Sequence, residues 1–147
     1  MNILDKIQDS ASLLQFVKYC TVGVLNTAVC LGIIFVCKSI LGIDPYLSNA
    51  LGYIGGVINS FLWNRKWVFH SGGSMGREAV LFLIGFGVCY ALQFLVVWIV
   101  TVSAFGAYEV EIGVFTLTGY GIATLAGSVV YTVANYLYNR IFTFRKK

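Results

Sequence analysis

Four long apolar runs, each closed by a short polar or charged stretch, set the rhythm of this chain. Crossing about 30 Å of hydrocarbon takes about 20 helical residues. The runs Tyr19–Cys37, Tyr46–Trp63, Ala79–Thr101 and Ile112–Tyr138 qualify as spans. The last is longer than a span requires, which predicts tilt or emergence from the bilayer. Lys18 and Lys38 bracket the first run, and Asp44-Pro45 reads as a turn and helix start before the second. Ahead of them, Ile3, Leu4, Ile7, Ala11 and Leu14 recur at helical spacing, with Asp5, Lys6, Gln8 and Asp9 between. Residues 1–17 therefore predict an amphipathic lead-in at the membrane interface, with a partly disordered segment as the alternative. A single four-helix domain is expected over residues 18–145.

Composition turns spans into a membrane protein. Of the 147 residues, 59% are hydrophobic and 11% charged, and the mean hydropathy is +0.83. Soluble domains carry about 25% charged residues. Cys20, Cys30, Cys37 and Cys89 sit within apolar stretches without C-x-x-C spacing and read as small buried hydrophobes. The N-terminal residues lack the basic and small-residue flanks of a cleaved signal peptide, so none is expected.

Charge predicts the orientation. Nine of the 10 basic residues precede the first span, lie between the second and third, or follow the fourth; Lys38 is the exception. The positive-inside rule puts both termini and the middle loop in the cytoplasm, an N-in/C-in multi-pass protein.

A phrase repeats at the ends of the second and fourth spans. Phe61-Leu62-Trp63-Asn64-Arg65-Lys66-Trp67-Val68-Phe69 is echoed by Tyr136-Leu137-Tyr138-Asn139-Arg140-Ile141-Phe142-Thr143-Phe144, at an offset of 75 that also carries Gly52 onto Gly127 and Ser48 onto Ala123. Two parallel two-helix repeats are the expected architecture, related by a pseudo-twofold axis along the membrane normal. The first spans are only weakly alike; Val22-Gly23 can be set against Phe86-Gly87.

Small residues recur every four positions, as close helix packing in lipid favours: Ser48, Gly52, Gly56 and Ser60; Gly119, Ala123 and Gly127; Gly85 with Cys89, or Gly87 with Ala91. Such stripes pair either inside one chain or across a homodimer. Amides at membrane depth also need partners. For Asn49 and Gln93, hydrogen bonds between helices are the expected answer. Asn26, Asn59 and Asn135 are either glue of the same kind or the lining of a polar cavity.

Arg65 and Arg140 each follow an Asn and are flanked by aromatic residues. A guanidinium presents a planar fork suited to phosphate oxygens, and Asn64 or Asn139 offers a further donor. Lys18 can snorkel to the same interface. Plain interfacial anchoring is the alternative for all three, and Lys66, Lys146 and Lys147 read as anchors meeting anionic lipid. Every Asp and Glu falls at a span end or in a loop, which argues against proton-coupled or cation export. Neither a catalytic constellation nor a metal-ligand cluster is visible. The chain is not expected to be an enzyme or to need a cofactor, and nucleic acid is not an expected partner.

Phe16-Val17-Lys18-Tyr19-Cys20-Thr21-Val22-Gly23-Val24-Leu25-Asn26-Thr27 resembles the opening of the GtrA family of small bacterial membrane proteins. Asn64-Arg65-Lys66-Trp67-Val68-Phe69 and Asn139-Arg140-Ile141-Phe142-Thr143-Phe144 resemble its two span-ending signatures. The likeness runs from about Leu14 to Phe144, and the third span adds no signature of its own.

That resemblance implies facilitated movement of a polyprenyl-phosphate-linked sugar (undecaprenyl phosphate being the bacterial carrier) across the inner membrane for cell-surface polysaccharide. Membrane glycosyltransferases are the implied partners. Arg65, Arg140, Lys18, Asn64 and Asn139 are then candidate phosphate contacts, and Asn26, Asn59 and Asn135 candidate sugar contacts. The rival it leaves open is a non-transporting scaffold that recruits or stabilises the glycosyltransferase.

Overall fold

The computed structural model describes residues 3–103, 109–112 and 115–145, with side chains described over 11–103 and 118–145. Helices make the fold: α1 (Ile3–Phe35), α2 (Pro45–Trp63), α3 (Met75–Val102) and α4 (Gly119–Tyr138). Three of them run on into a π-helical turn, Val36–Ile40 after α1, Asn64–Val68 after α2 and Asn139–Thr143 after α4. The chain divides into two compact units, one reaching Gly73 and holding α1 and α2, the other Ser74–Arg145 holding α3 and α4.

The helix starts follow from local chemistry. Asp44 caps α2, its carboxylate accepting from the Tyr46 N–H at 2.9 Å and the Leu47 N–H at 3.1 Å, with Pro45 at the first helical position. Thr118 caps α4 by accepting from the Gly121 N–H at 3.2 Å. The fourth predicted span needs correction at this end, because Ile112 belongs to a strand and the helix begins only at Gly119. β1 (Glu109–Ile112) pairs antiparallel with β2 (Phe115–Thr118), Glu109 opposite Thr118 and Ile112 opposite Phe115. The run of β-branched and aromatic residues on either side of Gly113 suits a hairpin better than a helix. The side chains of the amphipathic lead-in up to Ser10, of Glu109 and Glu111, and of the anchors Lys146 and Lys147 lie outside the described residues.

Two stretches, Ala11–Ile40 and Met75–Val102, are long and apolar enough to cross a membrane by length and composition. The partner helices α2 and α4 are more mixed, because they carry the small and polar stripes. Those stripes are the packing faces. Ser48, Gly52 and Gly56 are buried on α2, as are Gly119, Ala123 and Gly127 on α4. A β-carbon on Gly52 would meet the Cys30 carbonyl oxygen at 2.9 Å, and one on Gly127 would lie 2.8 Å from Val97 Cγ2 and 3.3 Å from the Gln93 oxygen. Gly85 is equally closed in, against the ring of Tyr138, whereas a β-carbon on Gly87 would meet open space. The contact face of α3 is thus Gly85 with Cys89, both buried, and Gly87 with the exposed Ala91 points away.

These contacts also relate α1 to α3. Cys30 and Ile34 face Gly52, and Gln93 and Val97 face Gly127. The two pairs are 63 residues apart, one fewer than the Val22-Gly23 and Phe86-Gly87 match suggests. At the same offset buried Val22 falls on buried Gly85. Outward faces are apolar: Val24, Phe94, Leu125 and Val129 are each more than 60% exposed. Water tolerates few such surfaces, and hydrocarbon suits them. The protein is a membrane protein.

Candidate functional site

The Asn-Arg ends are built alike in the two units. Asn64 and Asn139 each open a π-helical turn, and each backbone carbonyl accepts from the Phe five residues on, Phe69 N–H at 2.9 Å and Phe144 N–H at 2.8 Å. Widening a helix to the π form occurs mostly as single turns and often at functional sites. Here it ends each helix on a buried phenylalanine and presents the following Arg half-buried.

Asn64 and Asn139 are themselves buried, 2% and 0% exposed. Asn64 donates to the Ser60 carbonyl at 2.9 Å and to Ser60 Oγ at 3.2 Å. Asn139 donates to Asn135 Oδ1 at 3.0 Å, and Asn135 in turn donates to the Tyr131 hydroxyl at 3.1 Å. The amide donors expected to reach a phosphate are therefore spent along their own helices. Among the described residues, Asn64 Oδ1, Asn139 Oδ1 and Thr143 Oγ1 are buried without a hydrogen-bond partner.

At the first Asn-Arg end, Lys18 of α1 packs beside the π-helical turn that carries Arg65. Arg65 Nη2 donates to the Gly73 carbonyl at 2.7 Å, while its own carbonyl accepts from the Ser71 N–H at 2.9 Å, so one residue folds the 71–73 loop back on the helix end. The Lys18 ammonium sits 5.5 Å from the centroid of the Trp67 ring, and Trp63 meets the same indole edge-on at 6.1 Å. A cation over an indole face is held at about 0.5–1 kcal/mol when exposed and more when desolvated. Gln15 anchors α1 here by donating to the Val68 carbonyl at 3.1 Å. Deeper in the unit, Asn59 donates to Asn26 Oδ1 at 2.7 Å across α1 and α2.

In the second unit Arg140 Nη1 donates to the Tyr136 hydroxyl at 3.2 Å, with the guanidinium 6.0 Å from that ring's centroid. Asn135 is buried in the Tyr131–Asn139 ladder. Tyr131 was not among the sequence candidates, since a tyrosine in an apolar run carries no marker until its amide partner one turn on is seen. Glu78 was read as a span-end residue, yet it is 2% exposed in the first turn of α3.

Electrostatically, each Asn-Arg end offers a half-buried guanidinium, and the first adds an ammonium on an indole. Such groups attract phosphate oxygens. The described residues gather no group of three or more His, Cys, Asp or Glu suited to a metal.

A family model described as "GtrA/DPMS, transmembrane domain" matches residues 18–146. Among characterised and uncharacterised curated proteins, the chain is 27% identical over 130 residues to the uncharacterized membrane protein YngA of Bacillus subtilis (strain 168), covering 86% of this chain and 77% of that one.

Proposed function

Since the chain belongs to the GtrA/DPMS transmembrane-domain family, we propose that it carries a polyprenyl-phosphate-linked sugar across the bacterial inner membrane for surface glycosylation. The observation that carries this reading is the pair of Asn-Arg ends, in which a π-helical turn fixes a half-buried guanidinium just beyond a buried amide. In this reading four helices cross the bilayer as two parallel helix pairs, and both termini and the Arg65 and Arg140 ends face the cytoplasm, in line with the positive-inside bias.

The physical problem is the headgroup. A sugar hydroxyl in hydrocarbon without a partner costs about 4–8 kcal/mol, and a bare phosphate far more. Arg65 with Lys18 in the first unit, and Arg140 in the second, each offer cationic contacts to a phosphate at the cytoplasmic face. Asn64 and Asn139 act indirectly, by holding the turns that aim the two Arg side chains. Asn26, Asn59 and Asn135 offer amide groups to sugar hydroxyls deeper in, exchanging their present partners. The prenyl chain stays in lipid beside the apolar outer faces. Movement runs down the lipid gradient without catalytic chemistry, between a glycosyltransferase that charges the lipid and one that consumes it.

The family description sets this domain beside DPMS, the polyprenyl-phosphate mannose synthases to which similar four-span modules are fused. That favours a second reading: a scaffold that recruits or stabilises a membrane glycosyltransferase. The Arg65→Ala/Arg140→Ala protein separates the two. Carriage predicts that co-purification with the glycosyltransferase survives while affinity for polyprenyl phosphate falls. Scaffolding predicts lost co-purification with lipid affinity intact.

A further inference from the structure

A groove of about 280 Å³ opens on the second unit between α3 and α4, far along both helices from Arg140. Its α3 wall is a ridge of Tyr90, Phe94, Trp98 and Thr101, and α4 contributes Tyr120 and Thr124. The four rings are 58%, 67%, 56% and 63% exposed, so they are not core packing but surfaces turned outward. Tyr90 lies about 18 Å along the helix from Val102, too deep to be explained as an interfacial belt.

Gln93 forms the floor. Its stem packs against Gly127, with Cγ 3.2 Å from where a β-carbon would stand there. Its amide makes no hydrogen bond to any described residue, contrary to the helix-linking role expected of it. An amide is costly to hold in hydrocarbon without a partner. The Thr124 hydroxyl, by contrast, is already satisfied by the Tyr120 carbonyl at 2.8 Å.

The other unit shows that helix pairing does not require an amide at the Gln93 position or aromatic rings at the positions of Tyr90, Phe94 and Tyr120. At offsets of 63 and 75, Tyr90, Gln93, Phe94 and Tyr120 fall on Thr27, Cys30, Leu31 and Pro45, while Trp98 and Thr124 fall on Phe35 and Asn49. Cys30 meets Gly52 just as Gln93 meets Gly127, with no amide at that contact.

We propose that this groove is a binding site for one pyranose ring of a lipid-borne sugar, a second station beyond the Asn-Arg ends. The inference rests on the polyprenyl-phosphate-sugar reading. Lipid tails are as apolar as the groove walls, so a prenyl chain gains little by leaving lipid for them. Phosphate finds no cation among the lining residues. A sugar ring matches both features, its C–H face against aromatic rings and its hydroxyls toward the Gln93 amide and the Tyr90 and Tyr120 hydroxyls. The volume lies near the lower end of small-molecule pockets, about 300 Å³, room for one ring.

The test uses the full chain in lipid nanodiscs, titrated with polyprenyl phosphate bare or bearing glucose, galactose, mannose or N-acetylglucosamine. The proposal expects at least one glycosylated lipid to bind about tenfold more tightly than the bare lipid. Gln93→Leu and Trp98→Leu should each abolish that excess and leave bare-lipid affinity unchanged. A diazirine on the sugar should label the Tyr90–Thr101 or Tyr120–Thr124 segment of the unaltered protein. An excess that survives both substitutions, an equal loss for both lipids, or labelling confined elsewhere overturns the groove. Equal binding of bare and glycosylated lipid overturns it while leaving phosphate capture standing. Binding of neither lipid overturns the groove and the carrier reading together.

Discussion

Asn59 reaches across from α2 to donate its Nδ2 hydrogen to Asn26 Oδ1 at 2.7 Å, coupling two helices that also meet where Gly52 and Gly55 face Ile34 and Ile33. Both residues are half-buried, so the bond is shielded without being sealed. Interhelical bonds of this kind in membranes average about 0.6 kcal/mol and reach about 1.7. A double-mutant cycle with Asn26→Leu and Asn59→Leu, read by reversible unfolding in mixed micelles, should return a coupling energy in that range. A coupling indistinguishable from zero would mean that the pair does not hold the helices.

The two glycines of α3 and α4 should respond in opposite ways. Gly127→Val forces a side chain into Val97 and the Gln93 carbonyl, and overpacking of this kind costs about 1–3 kcal/mol. Gly87→Val faces open space and should stay within about 0.5 kcal/mol of the parent. Unfolding of both variants under one set of conditions checks the pair.

The ladder Tyr131–Asn135–Asn139 predicts a graded loss. Asn135→Leu strips Asn139 of its acceptor and Tyr131 of its donor, leaving two polar groups stranded. Each stranded buried group costs about 1–3 kcal/mol. Tyr131→Phe removes only one acceptor and should cost about 1 kcal/mol. Equal stability of the two variants would count against a continuous ladder.

Charge alone should not replace the forks. Arg65→Lys keeps the charge but loses the planar donor that holds the Gly73 carbonyl. The account expects Arg65→Lys and Arg140→Lys each to weaken polyprenyl-phosphate binding by about tenfold, as measured by titration in nanodiscs. Affinity unchanged in both lysine variants would leave the Arg residues as interfacial anchors.

Much of this arrangement was legible in the residues because lipid makes its rules local. The small-residue stripe on α2 and the Gly119-Ala123-Gly127 stripe on α4 were readable as packing faces, since four-residue spacing is all that close approach requires. The Asn-Arg phrase marked two helix ends, because its repeat is nearly literal. What it could not disclose was the π-helical turn, which depends on where the Phe69 and Phe144 amides find their carbonyls. Burial of Asn64 and Asn139 was likewise invisible, as an amide beside an Arg looks the same facing lipid or helix. The choice between Gly85 and Gly87 needed the Tyr138 ring, and the hairpin before Gly119 hid inside an apolar run. The groove aromatics carry no mark in the sequence, and only their exposure separates them from the core.

Carriage itself is tested most directly by reconstituting the protein in liposomes with a labelled polyprenyl-phosphate sugar confined to one leaflet. The account predicts that the label equilibrates between leaflets without ATP or an ion gradient, and that the Arg65→Ala/Arg140→Ala protein slows it toward the rate of protein-free vesicles. Equilibration no faster than in protein-free vesicles, with a glycosyltransferase active on the same lipid, would contradict it.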